Sequence, residues 1–105
     1  MAVSGKSAHA VMTNAVNTIL QATASTKINS ILLHNRDSST RKLTIYIVKA
    51  GMVNGVNYQF YDFNLPAGGS ASINDPIHLS INDRINARAD ALDAVNVLIN
   101  YTEVT

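Results

Sequence analysis

The residues that could do chemistry are few, and they are scattered along the chain. There are three histidines, His9, His34 and His78, and no cysteine. A metal site on a strand needs histidine and carboxylate ligands at short, alternating spacing, so that the side chains converge. Each histidine instead stands alone, without a second histidine or an acid two residues away. We therefore expect structural or surface roles for the histidines, with no metal and no other cofactor.

Acid–base and nucleophilic catalysis have no better support. Asp62 is the only acid inside a clearly predicted strand, and one carboxylate without a partner cannot do the paired-acid chemistry of a glycosidase. None of the nine serines lies in a Gly-x-Ser-x-Gly turn. Residues 5–7, Gly-Lys-Ser, end like a phosphate-binding loop but lack the preceding glycine and strand. The sequence predicts that the chain is not an enzyme.

Composition limits the class of protein. At 105 residues the chain is one domain with room for one modest core. Charged residues make up only 14 %, and twelve Asn, nine Ser and eight Thr supply the polarity instead, which suits turns and surfaces that other proteins cover. The net charge of +1 gives no whole-protein attraction to nucleic acid or membrane. No run approaches the roughly 18 apolar residues of a membrane span.

The elements that would position these residues are predicted to be strands. Two apolar runs, Ile28–His34 and Leu43–Val48, flank a polar tract, and we predict that they form a β-hairpin of two long central strands. In the second run every other residue from Leu43 is apolar, which is the strongest strand signal in the chain. The first run does not alternate at residues 31–33, which indicates burial on both faces or a β-bulge.

Six further strands are predicted, at residues 16–22, 58–65, 71–74, 77–81, 84–89 and 95–102. Ile81 is expected to point inward, and a loop with an Asn54-Gly55 turn is expected over residues 50–56. Residues 84–95 are rich in alanine and could be helical, but their alternation favours strand. About eight short strands separated by turns predict an all-β, single-domain β-sandwich that is jelly-roll-like.

The first residues differ from the rest. Residues 1–13 are small and polar, and we predict an extended N-terminal arm that is ordered only if something holds it. A short helix over residues 7–16 is the alternative, because alanines are frequent there. Residues 14–105 are then the β-sandwich domain.

Two groups of side chains are candidate protein-contact residues. The first is aromatic, a class enriched at the buried centres of interfaces, and consists of Tyr58, Phe60, Tyr61 and Phe63. At least half of this group is expected to fill the core instead. The second is basic and surrounds the polar tract: Arg36, Arg41 and Lys42. These cations could contact a neighbouring subunit or simply be solvated. A groove for single-stranded nucleic acid would combine them with stacking aromatics, but the near-neutral total charge disfavours it.

Several segments together form a recognisable pattern. They are residues 27–35 and 43–48 around a Ser/Thr-rich turn, the Leu-Pro-Ala-Gly-Gly turn at 65–69, residues 79–87, and the last strand, 95–103. Over roughly residues 20–103 this pattern resembles the small β-sandwich structural proteins of tailed-bacteriophage virions. The resemblance implies a many-copy particle component, either a capsid decoration or cement protein or a neck or tail accessory subunit. It also implies a virion location after assembly in the host bacterial cytoplasm, and no active site.

The implied partners are other virion proteins, such as the major capsid, portal, neck or tail subunits, together with copies of the same chain. Two other functions stay open. One is a glycan- or receptor-binding module of a tail tip or fibre, with a site built from Asn54, Asn57, Tyr58 and Asp62. The other is a metal-dependent jelly-roll enzyme.

Overall fold

The computed structural model describes residues 3–50, 59–75, 77–91 and 93–104, with the backbone alone at residues 59 and 60. The expected Asn54-Gly55 turn, Asn57 and Tyr58 lie outside the described residues. Nine strands and no helix occur in the described ranges, and hence no helix there that could cross a membrane. The strands are β1 Val3–Met12, β2 Asn17–Gln21, β3 Ser25–Asn35, β4 Arg41–Val48, β5 Gln59–Leu65, β6 Ser70–Ile73, β7 Ile77–Leu79, β8 Arg84–Ala89 and β9 Val95–Val104.

The strands form two antiparallel sheets around one core. The five-strand sheet has the order β1-β9-β3-β6, and β7 also pairs with β3. Because β6 pairs with residues 31–34 of β3 and β7 with residues 26–28, the two act as one interrupted edge strand. The four-strand sheet has the order β2-β8-β4-β5. With β6 and β7 counted together, this is the strand order of a jelly roll, which confirms the predicted all-β sandwich.

The core is a layer of mostly aliphatic side chains between the sheets. In β9 every second residue from Val95 to Glu103 is buried, and the residues between them are partly exposed. The same alternation in β4 buries Leu43, Ile45 and Ile47, as predicted. Alternation with a period of two is typical of a strand that packs on one side only. The outward faces of the two sheets are therefore the surfaces available for function.

The predicted hairpin between residues 28 and 48 is wrong. Strand β3 belongs to the five-strand sheet and β4 to the four-strand sheet, so the two strands do not pair. Their apolar sides face each other across the core, whereas a hairpin would place those sides next to each other in one sheet. Both arrangements give the same alternation in sequence, so the pattern could not distinguish them. Residues 36–40 are the crossing between the sheets.

The buried side chain of Asn35 anchors this crossing. Its amide nitrogen donates to the carbonyl oxygens of Ser39 at 2.8 Å, Leu65 at 2.9 Å and Pro66 at 3.1 Å. Its amide oxygen accepts a hydrogen bond from the backbone N–H of Asp37 at 2.9 Å. One side chain thus joins the crossing to the turn that follows β5.

Strand β3 resolves the ambiguity of the apolar run at residues 31–33. Its pairing with β9 shifts register between Ile28 and Ser30, a β-bulge or similar irregularity that lies before the run and not at residues 31–33, where the prediction placed it. The alternative, burial on both faces, does not occur: Ile31 and Leu33 are buried, but Leu32 is 42 % exposed. A large aliphatic side chain therefore lies in the middle of the outward face of the five-strand sheet.

Strand β1 occupies the segment for which the sequence predicts an arm, and it is the strand not included among the predicted eight. Val3–Met12 is extended and pairs with β9 in a continuous antiparallel register. The helical alternative over residues 7–16 is not found, because residues 7–12 are strand. The two ends of β1 differ, since every residue from Val3 to Ser7 is exposed whereas Met12 is buried in the core.

In the other uncertain segment, residues 84–95, the predicted strand at residues 84–89 is present and the alternative helix is not found among the described residues. Arg84–Ala89 forms β8 and pairs with both β2 and β4. The expectation for Ile81 is wrong, however. Strand β7 ends at Leu79, and Ile81 lies in the following turn with 60 % of its surface exposed. The turn reverses the chain, with a φ of 73° at Asn82, and so the alternation of β7 does not continue to residue 81.

The carboxylate of Asp83 holds this turn. It is almost fully buried and accepts hydrogen bonds from the backbone N–H of Ser80 at 3.0 Å and of Ala50 at 2.9 Å. Lys49 Nζ lies 3.1 Å from the same carboxylate. Burial alone raises the pKa of a carboxyl group, but these hydrogen bonds and the lysine charge outweigh it, so the pKa of Asp83 is below its ordinary value.

Asn35→Ala should destabilise the fold. The substitution leaves several backbone groups at the crossing without a partner, and each such buried group costs about 1–3 kcal/mol. We expect the free energy of unfolding, measured by urea denaturation, to fall by about 2–4 kcal/mol. Asn14→Ala, in an exposed bend, is the control and should change it by less than about 0.5 kcal/mol. Equal losses in the two variants would contradict the role given to Asn35.

Asp83 should make stability depend on pH on the acid side. Because its folded pKa lies below the ordinary value of 3.8, its contribution is complete above that value and is lost as the pH falls through the folded pKa. We expect Asp83→Asn to cost about 1–3 kcal/mol at pH 7 and progressively less below about pH 4. Urea unfolding from pH 7 to pH 2.5 measures this, with the exposed Asp90→Asn as control. A cost independent of pH would contradict this assignment.

Candidate functional site

The aromatic group of predicted contact residues is divided by the structure. Tyr61 and Phe63 are half-buried and pack against the core from β5, so they contribute to folding. Burial raises the pKa of Tyr61, and the charge and hydrogen bond of Asp75 act in the same direction. Phe60 is placed by its backbone opposite Tyr46 in the four-strand sheet, and Tyr58 lies outside the described residues.

The basic group does not converge on one point. Arg41 forms an ion pair with Asp37 at 2.7 Å, and its hydrogen bond holds the pKa of that carboxyl group below the ordinary value. Arg36 donates from Nε to the backbone oxygen of Asp93 at 2.7 Å. Lys42 is exposed on β4. Two of the three cations therefore brace the end of the sandwich at the crossing between the sheets.

The residues proposed for a glycan site are placed only in part. Asn54, Asn57 and Tyr58 lie outside the described residues. Asp62 is exposed on β5, where it accepts a hydrogen bond from the Thr44 hydroxyl at 2.8 Å. The described part of this set is therefore one carboxylate with a local partner.

All three histidines lie on the outward face of the five-strand sheet. His9 is opposite Leu98, His78 is opposite Lys27, and His34 Nδ1 lies 2.8 Å from the Ser70 hydroxyl oxygen. They are spread over different strands. Within the described residues no three histidine or acid side chains come close enough together to hold a metal ion.

This outward face has few charges. Among the described residues that point outward from these strands there is no aspartate or glutamate, and Lys27 is the one lysine or arginine. The register places serine, asparagine and histidine side chains around a central pair of leucines. One row across four strands is His9, Leu98, Leu32 and Ser72.

Leu32 and Leu98 form the floor of a shallow depression of about 430 Å³ on this face. Its rim is polar and consists of His34, Ser70, Ser72 and Asn96. The amide oxygen of Asn96 is buried without a hydrogen-bond partner, the one side-chain atom of this kind in the described ranges. A buried acceptor without a donor costs about 1–3 kcal/mol.

The outward face of the four-strand sheet has a different character. It carries Arg84, Arg88, Lys42 and Asp62 on neighbouring strands, and Thr44 lies between Arg88 and Asp62 in the register. Cations and a carboxylate so close together suit the polar rim of an interface or contact with solvent. The two outward faces therefore present different chemistry to a partner.

The sequence did not reveal the depression, although one sign of it was present. In the apolar run at residues 31–33, Leu32 points to the opposite side of the strand from Ile31 and Leu33. It must therefore be either buried on a second face or exposed. The pairing of Leu32 with Leu98 depends on the alignment of β3 with β9, which follows from long-range pairing. A short apolar run gives no information about its partner strand.

Comparisons with known proteins find likeness in structure but not in sequence. No protein-family model matches the chain, and no curated protein matches it. A chain in the acidic stable capsid structure of Helicobacter pylori bacteriophage KHP30 has a TM-score of 0.63 at 11 % identity, covering 99 % of this chain and 89 % of that one. A chain from Bacillus endospore appendages, a family of disulfide-linked pili, has a TM-score of 0.59 at 13 % identity, covering 98 % and 87 %. What is shared is the fold.

Elemental analysis of the purified, untagged protein tests the expectation that no metal is bound. After growth in medium supplemented with zinc, manganese and iron, and after dialysis, we expect well under one metal ion per chain. The physical reason is that isolated histidines cannot supply the several converging ligands that a metal needs. Retention of one equivalent that His34→Ala removes would contradict this and would favour the metal-dependent enzyme.

Proposed function

We propose that this chain is a structural subunit of a tailed-bacteriophage virion that acts through protein–protein contacts. Within the virion it serves as a capsid decoration or cement protein, or as a neck or tail accessory subunit. Its partners are the major capsid, portal, neck or tail proteins and further copies of itself. It performs no catalysis, and it is assembled in the host bacterial cytoplasm.

The observation that carries this proposal is the outward face of the five-strand sheet. Charged residues are depleted at the centres of protein interfaces, because each charge must lose its water on binding. This face has that character over several strands, with Leu32 and Leu98 at its centre and small polar side chains around them. The low charged fraction of 14 % in the whole chain agrees with a surface that is largely covered.

The similar structures support the same class of role. One belongs to a bacteriophage capsid and the other to pili, and both match this chain over nearly its whole length. A jelly roll also hosts lectins and enzymes, so the fold alone does not select a function. The likeness to the capsid chain supports the proposed location in a virion.

The predicted contact residues belong to a second, more polar surface in this proposal. Lys42 and Phe60 lie on neighbouring strands of the four-strand sheet, and Arg36 and Arg41 lie at or near the crossing beside it. Charged groups at an interface rim set orientation and rate of encounter more than affinity. Tyr61 and Phe63 support this surface from the core side.

We further propose that residues 1–13 act as an arm that engages a neighbouring subunit. The part from Val3 to Ser7 is exposed at every residue and is held by its pairing with β9 and by the Lys6–Glu103 ion pair at 2.9 Å. An edge strand whose outer hydrogen-bonding groups are unpaired is a natural template for another chain. The sandwich proper then comprises residues 14–105.

Removal of residues 1–13 should leave a folded sandwich that assembles poorly. Because Met12 is buried, we expect a lower melting temperature but a retained cooperative transition and β-type circular dichroism. Light scattering and binding to particles should show weaker association. Removal of residues 1–7 alone keeps Met12 and is the matched control for the lost core contact. It should weaken association with a smaller fall in melting temperature, because only the pairing with β9 and the Lys6–Glu103 ion pair are lost. A truncated chain that fails to fold would contradict the division at residue 13.

Immunogold labelling tests the location directly. An antibody against the purified chain is applied to virions and to surface appendages made by the strain that encodes it. Regular labelling of the shell, neck or tail of particles is expected, whereas labelling of filaments would reassign the chain to a pilus. Labelling of neither structure would overturn the proposal. Specific binding on a glycan array, without any labelled particle, would favour the glycan-binding alternative.

A further inference from the structure

The β7–β8 turn presents one aliphatic side chain on a firmly held backbone. Ile81 is 60 % exposed, although the alternation of residues 77–81 predicts an inward side chain. The turn around it is fixed by a hydrogen bond from Asn82 N–H to Ala22 O at 2.8 Å and by the contacts of the buried Asp83 carboxylate. A side chain on a backbone that is already fixed loses less conformational entropy on binding than one on a flexible loop, which suits an interface anchor.

The depression over Leu32 and Leu98 has the complementary shape and chemistry. Its apolar floor suits an aliphatic side chain, and no lysine, arginine or carboxylate lines it. On the turn, the charge of Asp83 is already compensated by Lys49 at 3.1 Å. Docking of the turn into the depression would therefore bury no unpaired charge, which is the usual obstacle to such a contact.

The polar groups match as well. The rim of the depression carries the hydroxyl groups of Ser70 and Ser72, which can accept hydrogen bonds. Asn82, next to Ile81, is exposed and has a side-chain amide that can donate. Interfaces combine a largely apolar centre with direct hydrogen bonds at a more polar rim.

The two patches are separated on one molecule. Strand β7, which leads into the turn, is paired with residues 26–28 of β3, whereas the depression lies beside residues 32–34. At ~3.4 Å per residue, the two patches are therefore at least about 20 Å apart along β3. One chain cannot satisfy its own depression with its own turn. If each copy inserts its turn into one neighbour and receives the turn of another, the contact is heterologous and repeats from copy to copy as a ring or an open filament.

We propose that the Ile81 turn of one copy inserts into the Leu32–Leu98 depression of the next copy, joining the chains head to tail. This inference names a partner for the outward face of the five-strand sheet and so rests on the proposed assembly role. The occupant is a second copy of this chain.

Single substitutions test each side of the contact. Ile81→Asp and Leu32→Asp should each weaken self-association, measured by sedimentation velocity over a concentration series, by about tenfold or more. Ala15→Asp, in an exposed bend that belongs to neither patch, is the control and should associate like the wild type. If Leu32→Asp lowers the melting temperature, Ser72→Arg takes its place, because it obstructs the rim from an exposed position.

Mixing the two variants tests the head-to-tail arrangement. The Ile81→Asp chain keeps an intact depression and the Leu32→Asp chain keeps an intact turn, so an equimolar mixture should form a heterodimer and nothing larger. Loss of association in Leu32→Asp alone, with no effect of Ile81→Asp, would show that two five-strand faces pair symmetrically and would overturn the proposal.

The proposed contact would also be overturned if the wild-type protein sedimented as a monomer at the highest concentrations. The same holds if the mixture of the two variants stayed monomeric. The assembly role is judged separately, by labelling of particles. If virions are labelled but the mixture stays monomeric, the contact fails and the structural role stands.

Discussion

The long strands β3, β4 and β9 each have one apolar side, and the two sheets bury those sides against each other. In the described ranges there is no helix to cover either sheet. A single sheet would leave a continuous apolar face exposed to water. Because each sheet needs the other to cover that face, the chain contributes strands to both sheets. The crossing from β3 to β4 is one such change of sheet, and the buried amide of Asn35 satisfies the backbone groups that the change leaves inside. Because the apolar sides are buried between the sheets, the opposite sides of the strands form the two outward faces.

Alternation predicted most of the strands because it depends only on which side of a strand is buried. Residues 43–47 and 95–101 show this most clearly, and both are strands with the predicted inward side. The pairing of strands was less accessible, as the mistaken hairpin shows. Whether two amphipathic strands lie side by side or face to face depends on contacts between distant segments, here on hydrogen bonds from Asn35 to residues about 30 positions away.

The surface was predicted less well than the core, for a related reason. Ile81 has the spacing of an inward residue, but strand β7 ends two residues before it and the Asp83 carboxylate sets a different backbone direction. Leu32 appeared to belong to a buried run, yet the bulge and the register with β9 leave it outside. Sequence patterns report local geometry, and these two side chains are placed by hydrogen bonds and pairings between distant segments.

These two exceptions have a common physical meaning. An exposed aliphatic side chain gives up favourable burial unless another surface covers it, and isolated examples are ordinary on protein surfaces. Ile81 and Leu32 differ from ordinary examples because each is held by a rigid backbone and lies among uncharged neighbours. A rigid, uncharged apolar group loses little entropy and little hydration energy on association. The same features that fix the turn and the bulge in the folded monomer therefore prepare these positions for contact with another subunit.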